Sequence, residues 1–266
     1  MAITDLETVK LDIDSGVARI VLNRPDALNA WTRQLGEDMR SALDQAGEDP
    51  DVRAIVFTGA GRAFSSGADL KSGAELGAEG KIDVRSRLSE SYNPLILAVR
   101  TVPKPVIAQV NGPAVGIGCS LALAADMIVA AESAYFLLAF VNIGLGLDGG
   151  ASQSLPARVG HARAFEMALL GERIPAATAL EWGMINRVVP DEQLEQAVGE
   201  LTARFVSGPP GSYANIKRTI NRHVYAGFDE LLEFEAELQQ GRVESADFME
   251  AVLAFAQKRE AKFTGA

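Results

Sequence analysis

The chain has 266 residues and a formal charge of −10, a length that suits one large domain or a core with a small appended part. The acidic balance argues against general nucleic-acid binding, which needs clustered Lys and Arg to neutralise phosphates, and no uninterrupted apolar run reaches the roughly eighteen residues of a membrane span. A single cysteine, Cys119, excludes an internal disulfide, and with only His161 and His223 beside it no cluster has metal-ligand spacing. Met1 to Lys10 lacks a basic stretch followed by an apolar one, so no secretory leader is expected and a cytoplasmic location is. Local bases such as Arg62, Lys71 and Lys258 leave room for an anionic ligand.

Val9, Leu11 and Ile13 alternate with Lys10 and Asp12, the period of a half-buried strand. Asp14-Ser15-Gly16 turns the chain into a second strand over Val17 to Leu22. Leu35, Met39 and Leu43 mark one helix face, and Ala54 to Phe57 reads as a short buried strand. An irregular Gly-rich stretch is expected from Ser65 to Gly80, long enough to be functional. A helix over Arg87 to Arg100, a strand over Val106 to Val110, an apolar helix over Leu121 to Ala125 and strands over Met127 to Ala131 and Tyr135 to Leu138 follow. From Gly160 the pattern is mostly helical. Ser207-Gly208-Pro209-Pro210-Gly211 reads as a linker, dividing residues 1–206 from a helical region at 207–266. Mixed strands and helices followed by helices alone predict an α/β core with a helical extension.

Two small-residue turns carry the chemistry: Ala63-Phe64-Ser65-Ser66-Gly67-Ala68-Asp69-Leu70, and Asn111-Gly112-Pro113-Ala114-Val115-Gly116-Ile117-Gly118-Cys119. Each follows a strand and the second opens a helix. Small residues let backbone approach a ligand closely. The first N–H groups of a helix lack internal partners and can stabilise an oxygen gaining negative charge. Taken singly, such a turn is more often just tight packing. Neither the third glycine of a dinucleotide fingerprint nor a Gly-Lys-Ser/Thr phosphate loop is present, and there is no Gly-x-Ser-x-Gly nucleophile elbow.

Together with Asn23-Arg24-Pro25-Asp26-Ala27-Leu28-Asn29-Ala30, Gly144-Leu145-Gly146-Leu147-Asp148-Gly149-Gly150 and Trp182-Gly183-Met184-Ile185-Asn186-Arg187-Val188-Val189, these turns resemble the motifs of the crotonase (enoyl-CoA hydratase/isomerase) superfamily, in order and spacing across nearly the whole chain. The resemblance implies a crotonase-like spiral of strand-strand-helix turns over 1–206, with C-terminal helices that carry subunit contacts in a homotrimer or dimer of trimers. It implies an acyl-CoA thioester substrate, with coenzyme A as part of that substrate and no separate cofactor or metal. Carried over by position, the backbone N–H groups of Ala68 and Ile117 become the two oxyanion-hole donors, each worth about 3 kcal/mol in the transition state. Many relatives have glycine at the position of Ile117. Asp26, Ala27, Leu28, Ser66, Asp69 and Leu70 would line the coenzyme A side, and Gly116, Ser120 and Phe140 the acyl side. For Asp26 and Asp69, turn formation or capping is the competing reading.

Hydratases of this superfamily use two glutamates. Ser120 and Phe140 occupy those positions here, and neither titrates. Asp148 remains, and shifting a double bond from β,γ to α,β needs only one base. Tyr92-Asn93-Pro94-Leu95, Leu138-Ala139-Phe140, Glu181-Trp182-Gly183-Met184-Ile185 and the C-terminal Lys258-Arg259 with Phe263-Thr264-Gly265 resemble the epoxyphenylacetyl-CoA isomerase branch of phenylacetate degradation. That branch usually has proline where this chain has Leu147. Apolar neighbours should raise the Asp148 pKa, although an aspartate capping the helix that follows Gly149-Gly150 is the plainer alternative. An acyl-CoA isomerase, acting on a β,γ double bond or a ring epoxide, is therefore expected. A hydratase with relocated acid–base groups and a non-catalytic acyl-CoA-binding homologue are the rivals. Cys119, His161, Trp31 and Trp182 are expected to be structural or surface residues.

Overall fold

A computed structural model describes residues 2–70 and 82–266. Lys71 and most of the irregular stretch expected up to Gly80 lie outside the described residues. The strands are β1 (Ala2–Asp5), β2 (Val9–Asp14), β3 (Val17–Leu22), β4 (Ala54–Gly59), β5 (Val106–Val110), β6 (Ala114–Val115), β7 (Met127–Ala131), β8 (Tyr135–Leu137), β9 (Ile174–Pro175) and β10 (Arg187–Val189). The helices are α1 (Arg33–Glu48), α2 (Val84–Arg87), α3 (Asn93–Thr101), α4 (Ile117–Ala124), α5 (Ala151–Leu170), α6 (Ala176–Glu181), α7 (Leu194–Ser207), α8 (Pro210–Val224), α9 (Phe228–Val243) and α10 (Ala246–Gln257).

Seven strands form one sheet in the order β1-β2-β3-β4-β5-β7-β10, and β6-β8-β9 form a second. The first two pairings are antiparallel and the other four parallel. Burial explains the patterns seen in sequence. In β3, Ala18, Ile20 and Leu22 face the core and alternate with half-buried neighbours, whereas β4 and β5 are buried throughout. Parallel strands covered on both faces need such continuous apolar runs.

The chain winds by a repeated move. It leaves the large sheet at β5, crosses to the small sheet at β6 and returns through α4. It then repeats the step through β7, β8 and α5. The stretch after β4 begins the same way, since Ser65 bridges in parallel to Ala114 of β6. This is the strand-strand-helix spiral, an α/β fold followed by the helices α7 to α10. Both small-residue turns lie where the chain crosses from one sheet to the other.

The structure refines four local expectations. The helix over Arg87 to Arg100 is two helices, α2 and α3, joined by a π-helical turn at Leu88–Tyr92. The helix expected from Leu121 opens at Ile117. The region after Gly160 also holds β9 and β10, and α5 begins nine residues earlier, at Ala151, with a kink at Gly160. The Ser207–Gly211 tract is a tight joint: α7 ends at Ser207 and α8 starts at Pro210, where proline suits a first helical turn.

Candidate active site

The Asn23–Ala30 segment braces the first turn. Asn29 is buried; its Nδ2 donates to Ala60 O and Ala63 O, and its Oδ1 accepts Arg24 N–H at 2.9 Å. Ser65 Oγ donates to Asn29 O at 2.8 Å, and Ser66 N–H to Leu28 O at 3.0 Å. Ser66 Oγ reaches Ala27 O at 3.4 Å. Arg24 spans the two segments through Ala30 O and the Asp69 carboxylate, the latter at 3.0 Å. Asp69 is thus engaged in bracing, while Asp26 is exposed in a short 3₁₀ turn. Leu28 and Leu70 are half-buried.

The two turns meet backbone to backbone. Ser65 N–H donates to Pro113 O, and Val115 N–H donates back to Ser65 O at 2.9 Å. Gly67, at φ +86°, and Gly116, at φ +52°, face each other so closely that a Cβ on Gly116 would lie 3.7 Å from Gly67 Cα. A Cβ on Gly67 would come within 3.0 Å of Val115 O. Only glycine fills both positions without strain. Ala68 and Ile117 are the residues immediately after them. Trp31 takes Gly67 O and the Asp69 N–H, so the intervening Ala68 N–H points away from that bridge. Ile117 is the first residue of α4, where an N–H has no partner inside the helix. Among the described residues, neither the Ala68 nor the Ile117 N–H donates to a backbone acceptor.

The Gly144–Gly150 loop lies over the start of α4. A Cβ on Gly149 would stand 2.7 Å from Ile117 Cδ1 and 2.8 Å from Ser120 Cβ, so the loop rests directly on both residues. Ser120 Oγ donates to Asp148 O at 2.9 Å. Phe140 is buried, and its carbonyl accepts Ile143 N–H and Leu145 N–H, which shapes the turn into this loop.

Asp148 is buried. Its Oδ2 accepts from Gln239 Nε2 at 3.1 Å, and its Oδ1 has no hydrogen-bond partner among the described residues. Burial lifts its pKa to about 7. The negative charge of Glu235 pushes the same way, and the Gln239 donor and the Arg87 guanidinium pull back. The capping alternative for Asp148 does not hold, because α5 has Gly150 as its N-cap and no side-chain cap hydrogen bond. Glu235 takes over that task, accepting Gly150 N–H at 2.7 Å, Ser152 N–H at 3.0 Å and Ser152 Oγ at 2.6 Å. Its own pKa is raised by burial despite these donors.

The structure therefore brings together Ala27, Leu28, Ser66, Ala68 and Asp69 in one group, and Gly116, Ile117, Ser120 and Asp148 in another, joined at Gly67 and Gly116. Three contributors went unread in the sequence: Gln239, Glu235 and Arg87. On α9 the buried residues Leu232, Glu235, Ala236, Gln239 and Val243 recur at helical spacing. Two polar residues inside that buried stripe were the available signal. The remaining candidates are structural or superficial. Cys119 is buried with its thiol pKa pushed up to about 12, Trp31 is buried edge-on to Tyr92, and His161, Arg62 and Lys258 are exposed. Among the described residues no group of His, Cys, Asp and Glu could hold a metal ion, and no helix is long and apolar enough to cross a membrane.

The family model described as enoyl-CoA hydratase/isomerase matches residues 12–266. The chain belongs to the enoyl-CoA hydratase/isomerase family. It is 43% identical over 259 residues to a probable enoyl-CoA hydratase of Rhodobacter capsulatus, covering 97% of this chain and 98% of that one. It is 37% identical over 260 residues to the 1,2-epoxyphenylacetyl-CoA isomerase of Escherichia coli, covering 98% and 99%. Among solved structures, an enoyl-CoA hydratase from Mycobacterium avium subsp. paratuberculosis superposes with a TM-score of 0.88 at 39% identity, covering 98% of this chain and all of that one. Hydratases and isomerases of the enoyl-CoA hydratase/isomerase family thus stand side by side among its relatives, and the choice between them rests on the acid–base groups.

Proposed function

We propose that this chain is an acyl-CoA isomerase that moves a double bond from the β,γ to the α,β position, or isomerises a ring-epoxide acyl-CoA, through an enolate. The observation that carries the reading is Asp148: a buried carboxylate with one unpartnered oxygen and a pKa raised to about 7, in a loop that rests on Ile117. A base poised near the working pH transfers protons most effectively.

In this reading the thioester oxygen accepts from the Ala68 and Ile117 N–H groups. Asp148 takes a proton from the α-carbon. The electron pair spreads over the dienolate, whose negative oxygen the two amides stabilise. The protonated Asp148 then delivers the same proton to the γ-carbon and is a carboxylate again. No water is consumed and no cofactor is needed, since coenzyme A belongs to the substrate. Asp26, Ala27, Leu28, Ser66, Asp69 and Leu70 would flank the coenzyme A portion, with Gly116, Ser120 and Phe140 on the acyl side. Ser120 cannot replace the missing hydratase glutamate, because its hydroxyl does not titrate in this range and is spent on Asp148 O.

Self-association is part of the proposal. Phe234, Leu238, Met249, Leu253 and Phe255 on α9 and α10 are each about half exposed or more, between 49% and 58%, and an apolar surface of that kind suits burial against further copies in a homotrimer or dimer of trimers.

A hydratase is the second reading, favoured by the name of the Rhodobacter capsulatus relative. Two assays separate them. Purified protein should convert a β,γ-hexenoyl-CoA to its α,β isomer and leave crotonyl-CoA unhydrated. Fast hydration of crotonyl-CoA with no isomerisation would reverse the assignment, and absence of both, with acyl-CoA still raising the melting temperature, would leave a binding protein.

A further inference from the structure

We propose that Gln239 is a positioning residue for Asp148: by holding Oδ2 and the loop backbone together, it leaves Oδ1 as the one carboxylate oxygen free to exchange a proton with the acyl chain. The inference rests on the isomerase reading above and names how its base is aimed.

Gln239 is fully buried on α9, and its side-chain amide is saturated by this one loop. Its Oε1 accepts Gly146 N–H at 3.1 Å, and its Nε2 donates to Gly146 O at 2.9 Å and to Asp148 Oδ2 at 3.1 Å. The first two bonds fix the amide plane by the same pairing that joins strands. The third then falls on a carboxylate oxygen at a set angle. A carboxylate free to rotate about its χ2 would present either oxygen, and a base that must serve two carbons in turn gains from having one. The second oxygen, Oδ1, is buried and has no donor among the described residues, an arrangement that costs free energy unless a reacting group uses it.

The charged groups that face this carboxylate are Glu235 from the same helix and Arg87 from the end of α2. From α4 the loop that carries it meets Ile117 and Ser120, neither of them charged. Glu235 is itself committed to Gly150 and Ser152. Gln239 is therefore the neutral partner in the set, able to orient the base without adding charge.

The test uses the full-length Gln239→Met and Gln239→Glu variants beside Asp148→Asn, with a β,γ-hexenoyl-CoA as substrate. Methionine keeps the volume and removes the amide; glutamate keeps an acceptor for Gly146 N–H and removes the donor to Asp148. Both should lower kcat by about tenfold or more with KM little changed. Both should also move the acidic limb of the pH–rate profile upward, further for glutamate. A merely structural glutamine would alter the melting temperature without moving that limb. If Gln239→Met fails to fold, Gln239→Glu decides. A folded variant with the parental kcat and limb overturns the inference while a dead Asp148→Asn leaves the base assignment standing. An active Asp148→Asn would instead overturn the base assignment itself.

Discussion

Ser120 Oγ donates to the main-chain carbonyl of Asp148 across 2.9 Å, so the helix that offers the Ile117 amide is tied directly to the loop that carries the acid. Ser120, which the sequence resemblance sets at a hydratase glutamate position, acts here as a structural pin. Ser120→Ala should cost about 1 kcal/mol of stability, since Asp148 O keeps the Ala151 N–H at 3.2 Å. It should lower kcat more than it changes KM. Urea unfolding and steady-state kinetics on one preparation check both, and an unchanged kcat would show that the pin is dispensable.

Removing the acid separates chemistry from binding. Asp148→Asn should reduce isomerisation by about 10²- to 10⁴-fold while acyl-CoA still raises the melting temperature. Calorimetric titration with a saturated acyl-CoA checks the second half.

The raised pKa of Asp148 fixes the sign of two pH effects. In the proposed mechanism Asp148 must start ionised, so kcat/KM should climb as pH rises through about 7 and then level off. For stability, the folded state holds this proton more tightly than the unfolded chain, whose value is near 3.8. Asp148 therefore stabilises most below that value, and its contribution is lost as pH rises toward about 7. Asp148→Asn should thus be more stable than the parent at pH 8, by on the order of a few kcal/mol, and close to it at pH 4. Melting curves at the two pH values decide the sign.

Gly116 sits at φ +52° and ψ −126° against Gly67. That conformation is open to glycine and strained for other residues. Gly116→Ala should destabilise the protein by about 1–3 kcal/mol and lower kcat beyond what its folded fraction explains. A folded variant with parental kcat would show that the following amide needs no such placement.

Asp126 holds two cations far from the acid. Its Oδ2 lies 2.8 Å from Lys217 Nζ and accepts Val106 N–H at 2.9 Å, and Arg100 Nη1 is 3.5 Å from Oδ1. Both basic side chains are 7% exposed. Asp126→Ala removes the carboxylate that neutralises both, although Arg100 keeps Ala124 O and Asn221 and Lys217 keeps Val99 O and Lys104 O; it should cost about 3 kcal/mol, with kcat of the folded enzyme unchanged. Chemical denaturation and an activity assay normalised to folded protein test the pair of claims.

What could be read in advance followed the range of the forces involved. β2, β3 and α1 were legible because burial on one face imprints a period on neighbouring residues. β9 has two residues and β10 three, too few for any period to register. The two glycine turns were legible because backbone approach demands residue types that stand out, and Asp148 because its motif resembles the family's. Gln239 was not, because a glutamine on a helix reads as solvated until a loop 91 residues earlier closes over it. The π-turn at Leu88–Tyr92 likewise left no mark in an ordinary helical pattern.

That separation of 91 residues between Asp148 and Gln239 also sets when the protein can work during synthesis. A nascent chain that has emerged only as far as α8 already owns both amide donors and the acid, yet neither Gln239 nor Glu235 has joined them. Under the proposed mechanism, premature termination anywhere before Phe228 would yield a product whose Asp148 lacks its Gln239 partner.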